Sequence, residues 1–297
     1  MKTYHFTLIL LIIFPKTIDL IGELYSPILP EFKKIANQDN KIIKTVSDTW
    51  KYGKIHIVGD SHSAWCYTSK PNENPWKNIP WPESLREFTY EEFSFPFKIT
   101  SINTITINFS IHWILGRTMH RIGRDGIDLE LYGIKNNDIV CFVFGGIDIG
   151  GLHVLRQYIS GRKIDEIINT CVSNYFNAIL DQQKKYNNIP IVIQAVLPYR
   201  SFPSKENINE FNQYFPDQSL VSFQIAITNT LNEKLQEYSQ RNNFLFLNIN
   251  HIYETEEKTL RPDLSDGFHH VHPKFNGAFK ENLIMILLNN STEKHFT

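Results

Sequence analysis

Cysteine is scarce and unpatterned. Cys66, Cys141 and Cys171 form an odd set without zinc-ligand spacing, and two of them fall inside apolar segments. They read as buried thiols, so neither a disulfide framework nor a zinc site is expected. A surplus of charge is also missing: 30 Lys and Arg against 31 Asp and Glu leave a formal net charge of −1. That removes the electrostatic case for nucleic acid or an anionic membrane as partner. No apolar run reaches the about 20 residues that a bilayer span requires, and repeats and low-complexity tracts are absent. What is present is an ordinary globular balance, 42% hydrophobic and 21% charged over 297 residues, enough to bury a sizeable core.

At the N-terminus, Lys2 precedes Phe6 to Phe14, nine residues of which only Thr7 is polar, and Pro15-Lys16 breaks the run. This suits the core of a signal peptide behind a positive charge, although no small-x-small cleavage site follows. Residues 1–50 therefore read as an N-terminal extension with a signal segment over about residues 1–22, and 51–297 as a single domain. Export is the favoured location and a cytoplasmic protein with a buried N-terminal helix or strand the alternative. The sequons at Asn108 and Asn290 matter only in a glycosylating compartment.

The stretch Lys54 to Ser63, KIHIVGDSHS, carries the first chemistry. Its apolar run Ile55 to Val58 predicts a buried strand, Gly59 allows a sharp turn, and a helix-tolerant segment follows. A helix starting there points free N–H groups and a positive dipole end at Ser61. A serine hydroxyl is a poor nucleophile until a base takes its proton, so the reading requires a histidine from elsewhere in the chain. The competing reading is that Ser61 merely caps a helix.

Between residues 69 and 96 the chain is rich in Pro, Asn, Trp and Glu and is expected to form a loop. In it Trp76 and Trp81 either wall a substrate or pin the loop to the core. Lys98 to Phe109 alternates as a half-buried strand does. Leu115 to Gly126, LGRTMHRIGRDG, is a turn-rich stretch able to present backbone N–H groups. Ile139 to Phe144 is an apolar run of the kind covered on both faces, and Gly145-Gly146 ends it with a second sharp turn. A helix over Ile164 to Tyr186, a strand over Ile189 to Leu197, a helix over Leu220 to Tyr238 and a strand over Phe244 to Ile249 follow. Strand and helix alternate from residue 54 onward, which predicts βαβ units in a three-layer α/β/α sandwich around a parallel sheet. Two strands ending in Gly turns place a site at the sheet's carboxyl edge.

Near the end, DLSDGFHHVHP sets Asp266, His269, His270 and His272 within seven residues, before a helix over Pro273 to Asn289. An Asp three residues before a His on a loop can hold one ring nitrogen and leave the other as a base. Three close histidines can also bind zinc, but no H-E-x-x-H helix or matched Cys/His set accompanies them, and no metal is expected.

With a Ser turn after the first strand, Gly turns in the middle and Asp-x-x-His near the end, residues 54 to 285 resemble the SGNH (GDSL-like) hydrolase superfamily. TMHRIGRDG followed by FVFGGID is similar to a bacterial and viral subgroup whose third block reads Gly-Glu-Ile-Asp. The resemblance implies a flavodoxin-like fold and an ester hydrolase needing no cofactor. Ser61 would be its nucleophile, His269 its base with His270 as the alternative, and Asp266 the group orienting that base. It also implies an oxyanion hole of Ser61 N–H and Gly116 N–H, with Gly145, Gly146 and Asp148 at the third-block turn. The family's third-block Asn is missing: Ile147 or Asp148 stands in its place. An ionised Asp only accepts hydrogen bonds and would repel an oxyanion. The implied substrate is a small-molecule or carbohydrate ester. O-acyl transfer, or a binding protein that keeps the fold with weak or no chemistry, are the alternatives. The oligomeric state is not legible.

Overall fold

The computed structural model describes residues 50, 52–78, 87–99, 104–150, 153–187, 189–199, 205–267 and 269–293. The N-terminal apolar segment and Trp81 lie outside them. The chain divides into two compact units. The larger holds residues 52–95 and 107–290; the smaller comprises 1–51, 96–106 and 291–297. The larger unit carries nearly all of the sheet and every residue of the site at the sheet's carboxyl edge, Ser61, Gly116, Asp148, Asp266 and His270 among them.

Six strands form one sheet: β1 (Ile55–Gly59), β2 (Glu87–Lys98), β3 (Thr104–Ile114), β4 (Ile139–Val143), β5 (Ile191–Gln194) and β6 (Leu245–Leu247). Their order is β2-β3-β1-β4-β5-β6, and β3-β1-β4-β5-β6 run parallel throughout. β1 and β4 are buried at every residue, as their unbroken apolar runs require of strands covered on both faces. Successive side chains of a strand point to opposite faces. Val58, Val140 and Phe142 thus enter one large cluster with α5 (Ile164–Lys185) and α7 (Leu220–Arg241). On the other face, Tyr67 of α1 (Ser61–Tyr67) donates to Gln194 Oε1 at 2.7 Å and its ring packs on Phe279 of α9 (Gly277–Glu293). This is the three-layer α/β/α sandwich expected from the alternation of elements.

Among the described residues no helix is long and apolar enough to cross a membrane. The cysteines are buried free thiols. The loop expected between residues 69 and 96 is one only in part, because Glu87–Lys98 is a strand at the sheet edge. An edge strand needs no continuous apolar pattern and tolerates Pro96. The strand expected over Lys98 to Phe109 is split between the end of β2 and the start of β3.

Candidate active site

The site is built at the carboxyl end of β1. The chain leaves Gly59 so close to β4 that a Cβ there would lie 2.3 Å from the Val143 carbonyl oxygen. Only glycine permits this approach. Asp60, and not Ser61, caps α1: its Oδ1 accepts from His62 N–H at 2.9 Å. Ser61 is thereby left as the first helical residue with its hydroxyl uncommitted to capping. Asn276 Nδ2 reaches the carbonyl oxygens of Trp65 and Thr68 at 3.1 Å, and Lys280 Nζ reaches those of Tyr67 and Thr68. The carboxyl end of α1 is thus bound to the last helical segment of the chain.

The C-terminal loop delivers the histidine. Ser265 and Val271 form an antiparallel bridge, and across it Asp266 N–H donates to the His270 carbonyl at 3.0 Å while His270 N–H donates to Asp266 Oδ1 at 3.2 Å. Gly267, at φ +89°, makes the turn. Residues 266 and 270 therefore face one another. His270 Nδ1 lies 2.9 Å from Asp266 Oδ2, and its Nε2 lies 2.8 Å from Ser61 Oγ. With Nδ1 donating to the carboxylate, Nε2 is the free acceptor for the serine proton.

This corrects the expectation that His269 holds the place. The hairpin makes the effective spacing four residues and not three, and His269 is turned out beside the chain of hydrogen bonds, its ring 4.0 Å from that of His270. His270 is fully buried and stacks on Trp65 at 4.2 Å between centroids. Burial lowers its pKa to about 4, with the Asp266 hydrogen bond opposing and the charge of His62 assisting the shift. At neutral pH it is an uncharged imidazole, able to accept a proton. Trp76 packs on Trp65 and Trp113 at 5.0 and 5.2 Å, so it pins its loop. A recess of about 140 Å³ beside it is lined by residues including Trp65, Asn74, Trp76, Asp266 and His272.

The other anticipated residues lie on the same sheet edge. Gly116 follows β3 in a left-handed turn at φ +61°. Gly145, at φ +111°, follows β4 where a Cβ would strike Val196 at 2.5 Å. Asp148 is not turned toward an oxyanion. It is buried and accepts from Met119 N–H at 2.7 Å and His120 N–H at 3.1 Å, the first turn of α2 (Met119–Asp125). Burial pushes its carboxyl up to about 7, against the pull of those two N–H groups. The third block thus anchors the second, and Ile147, half-buried, offers no side-chain donor.

Two residues of the first block have a place that the sequence reading did not assign. His62 Nδ1 lies 3.0 Å from Asp60 Oδ1, and its ring lies over Gly146, where a Cβ would come within 2.3 Å of Cε1. A polar pair flanking the serine in GDSH was the available signal. The ring nitrogens of His62, His269 and His270 come within 4.8 Å of one another. Both ring nitrogens of His270 already face Ser61 and Asp266, and His62 Nδ1 faces Asp60, so a metal ion bound through His270 would displace one of its two contacts.

No protein-family model matches the chain, and no curated protein matches it. Among solved structures it is similar to a GDSL-like lipase from Bacteroides thetaiotaomicron, with a TM-score of 0.44 and 14% identity over 85% of this chain and 98% of that one. A carbohydrate acetylesterase from Sinorhizobium meliloti gives 0.42 and 13% over 79% and 98%. A phospholipase A1 from Streptomyces albidoflavus gives 0.39 and 11% over 80% and 98%. At that level of likeness neither the fold nor the chemistry of this chain is read from them. Both rest on its own residues: the blocks that resemble the SGNH hydrolase superfamily, the parallel sheet, and the side chains joined at its carboxyl edge.

Proposed function

We propose that the chain is an SGNH-type serine hydrolase acting on esters, with Ser61 as nucleophile, His270 as general base and Asp266 as the group that orients it. The observation that carries this is the unbroken chain Asp266 Oδ2, His270 Nδ1, His270 Nε2, Ser61 Oγ, joined at 2.9 and 2.8 Å.

In the first half-reaction the Ser61 oxygen attacks the ester carbonyl carbon as its proton passes to His270 Nε2, and the carbonyl electron pair moves to the oxygen. Collapse of that tetrahedral species expels the alcohol, which takes the proton back from His270. Water then repeats the sequence on the acyl-enzyme, giving its proton to His270 and releasing the acid and the free serine. The developing oxyanion would be met by the backbone N–H groups of Ser61 and Gly116, the assignment implied by the family resemblance.

The substrate class we propose is a short acyl ester of a small polyol or carbohydrate. A recess bounded by Trp76, Trp65 and Asn74 next to Asp266, not lined by Ser61, supports it through the aromatic face and amide groups it offers to the part of the substrate remote from the ester. The side chain of Ile147, where a donor would be expected, favours a second reading: a binding protein that retains the fold with weakened chemistry.

Labelling with a fluorophosphonate separates the two. Wild-type protein is expected to be labelled, Ser61→Ala not at all, and hydrolysis of p-nitrophenyl acetate is expected to fall at least about 1000-fold in Ser61→Ala and His270→Ala. Equal labelling of wild type and Ser61→Ala, or none of either, would leave only the binding reading.

A further inference from the structure

The third block supplies no side-chain donor, and a second buried histidine, His62, packs against His270 beside it. His62 is nine-tenths buried and is gripped by Asp60: its ring Nδ1 and its backbone N–H both meet Asp60 Oδ1, at 3.0 and 2.9 Å. The backbone of His269 hydrogen-bonds the ring in the sense that favours its charged form, so the partner is the carbonyl oxygen. Asp60 Oδ2 has no hydrogen-bond partner among the described residues and shares with His62 the wall of a cavity of about 10 Å³, roughly the volume of one water. A buried carboxylate so sparsely bonded calls for a cation beside it. The His62 ring packs against that of His270 at 4.8 Å between centroids, tilted by 56°. It can lie over the third-block turn only because residue 146 has no Cβ.

We propose that His62 is a positioning residue of the esterase reaction: its imidazolium, held by Asp60 and the His269 carbonyl, places a fixed positive charge beside the Ser61–His270 pair, where the third block provides no donor. The inference rests on the reading of Ser61 and His270 as nucleophile and base.

Burial alone would strip the proton from His62, but Asp60, by charge and hydrogen bond, then the His269 carbonyl and Asp266 outweigh it and hold its pKa above the ordinary value. His270 faces it and responds in the opposite direction, its own protonation disfavoured by burial and then by His62. Two histidines 4.8 Å apart thus divide the roles, one charged and one neutral. The charge favours the tetrahedral oxyanion over the neutral ester and disfavours the proton that His270 takes up in the same step. Both effects fall on kcat and not on ground-state binding, and the proposal requires the first to outweigh the second.

The test compares the full-length wild type with His62→Gln and Gly146→Ala, the second of which forces a methyl into the imidazole. Fluorophosphonate labelling rates and kcat and KM for p-nitrophenyl acetate are followed over about pH 3 to 9, a range that spans the limb set by His270 at about 4. Wild type is expected to lose activity at high pH as His62 gives up its proton. In His62→Gln we expect kcat to drop about 10- to 100-fold, less than the about 100- to 1000-fold typical of a directly bonded oxyanion donor, with KM little changed. The alkaline limb should vanish and the acid limb move upward as His270 loses its charged neighbour. Gly146→Ala should lower kcat in the same direction. Both limbs unchanged in His62→Gln, whatever the loss in rate, would overturn the proposal. Ring-nitrogen NMR of wild type gives an independent reading if the variants fail to fold: an imidazolium persisting above pH about 6.5 supports it, and a neutral ring there overturns it. Absence of labelling in wild type would overturn the hydrolase reading along with this one, whereas labelled wild type with unmoved limbs overturns this one alone.

Discussion

One residue step, from 269 to 270, decides which imidazole reaches Ser61. The two histidines are neighbours in an exposed-looking tract, and nothing in their composition separates them. The bridge between Ser265 and Val271 does, because it turns residue 270 toward Asp266 and the helix start. Replacing His270 with Ala should therefore abolish p-nitrophenyl acetate hydrolysis, while His269→Ala should lose far less; the reverse ranking would return the base to His269. The pH profile carries a second prediction. A base must be neutral to act, and burial has lowered the His270 pKa to about 4, so kcat/KM should hold down to that region before falling with its protonation. A midpoint at the ordinary histidine value of about 6.5 would mean that the ring is solvated in the working protein.

At the scale of elements, the long helices and the inner strands were legible in the sequence, and the joints between them were not. The stripe from Ile164 to Leu180 gives α5, which runs from Ile164 to Lys185, and unbroken apolar runs give β1 and β4, because those elements are selected by burial on a fixed period. β2 escaped because an edge strand with one open side carries Glu, Ser and Pro among its aromatics. Ser61 and Asp266 could be read from motif residues, but Asp148 could not be assigned, since its use is settled by the two N–H groups of α2 that it accepts from. That contact joins the β4 turn to the turn after β3. Asp148→Asn would place an amide NH2 against one of those donors and should lower stability by about 1 to 3 kcal/mol in denaturant unfolding. An unchanged midpoint would show that the two turns hold without it. Gly59→Ala is the harsher change. Its methyl would meet the Val143 carbonyl at 2.3 Å and Ser63 Cβ at 2.9 Å, so a loss of about 3 kcal/mol is expected in the same measurement, with α1 displaced and labelling of Ser61 reduced.

For the whole molecule, the response to acid is governed by histidines buried in neutral form. Beneath the site a second chain of hydrogen bonds crosses the sheet. Asp138 Oδ2 lies 3.1 Å from His56 Nε2, His56 Nδ1 lies 2.9 Å from His112 Nε2, and His112 Nδ1 lies 3.1 Å from Thr89 Oγ1. With both rings neutral every ring nitrogen is matched: the carboxylate accepts from His56, His56 accepts from His112, and His112 accepts from Thr89. A proton added to either ring sets N–H against N–H, or against a hydroxyl that must then reverse. Burial is the main cause that lowers both pKa values; the charge of His56 deepens the shift of His112, to about 3, while Asp138 opposes that of His56. His270 adds a third depressed value at about 4. In the unfolded chain all three titrate near 6.5, so below that pH the unfolded state binds more protons. Their stabilisation is therefore complete above about pH 6.5 and is lost as the pH falls toward 4 and 3. His62 works in the other sense, its raised pKa giving stability below about 6.5 that fades as pH rises. Asp148, its carboxyl pushed up to about 7, takes up a proton in the folded chain before the unfolded chain does and so opposes them, whereas His62 adds no slope below about 6.5. With three histidines against this one carboxyl, unfolding free energy from urea titrations should decline on acidification below about pH 6.5. Each neutral histidine can contribute a slope of up to about 1.4 kcal/mol per pH unit. His112→Gln should shallow that slope besides lowering stability at neutral pH, since Gln keeps a donor and an acceptor but has no proton to gain. A stability curve that stays level from pH about 6.5 to 4 would mean that this chain of rings opens to water and protonates without unfolding the sheet above it.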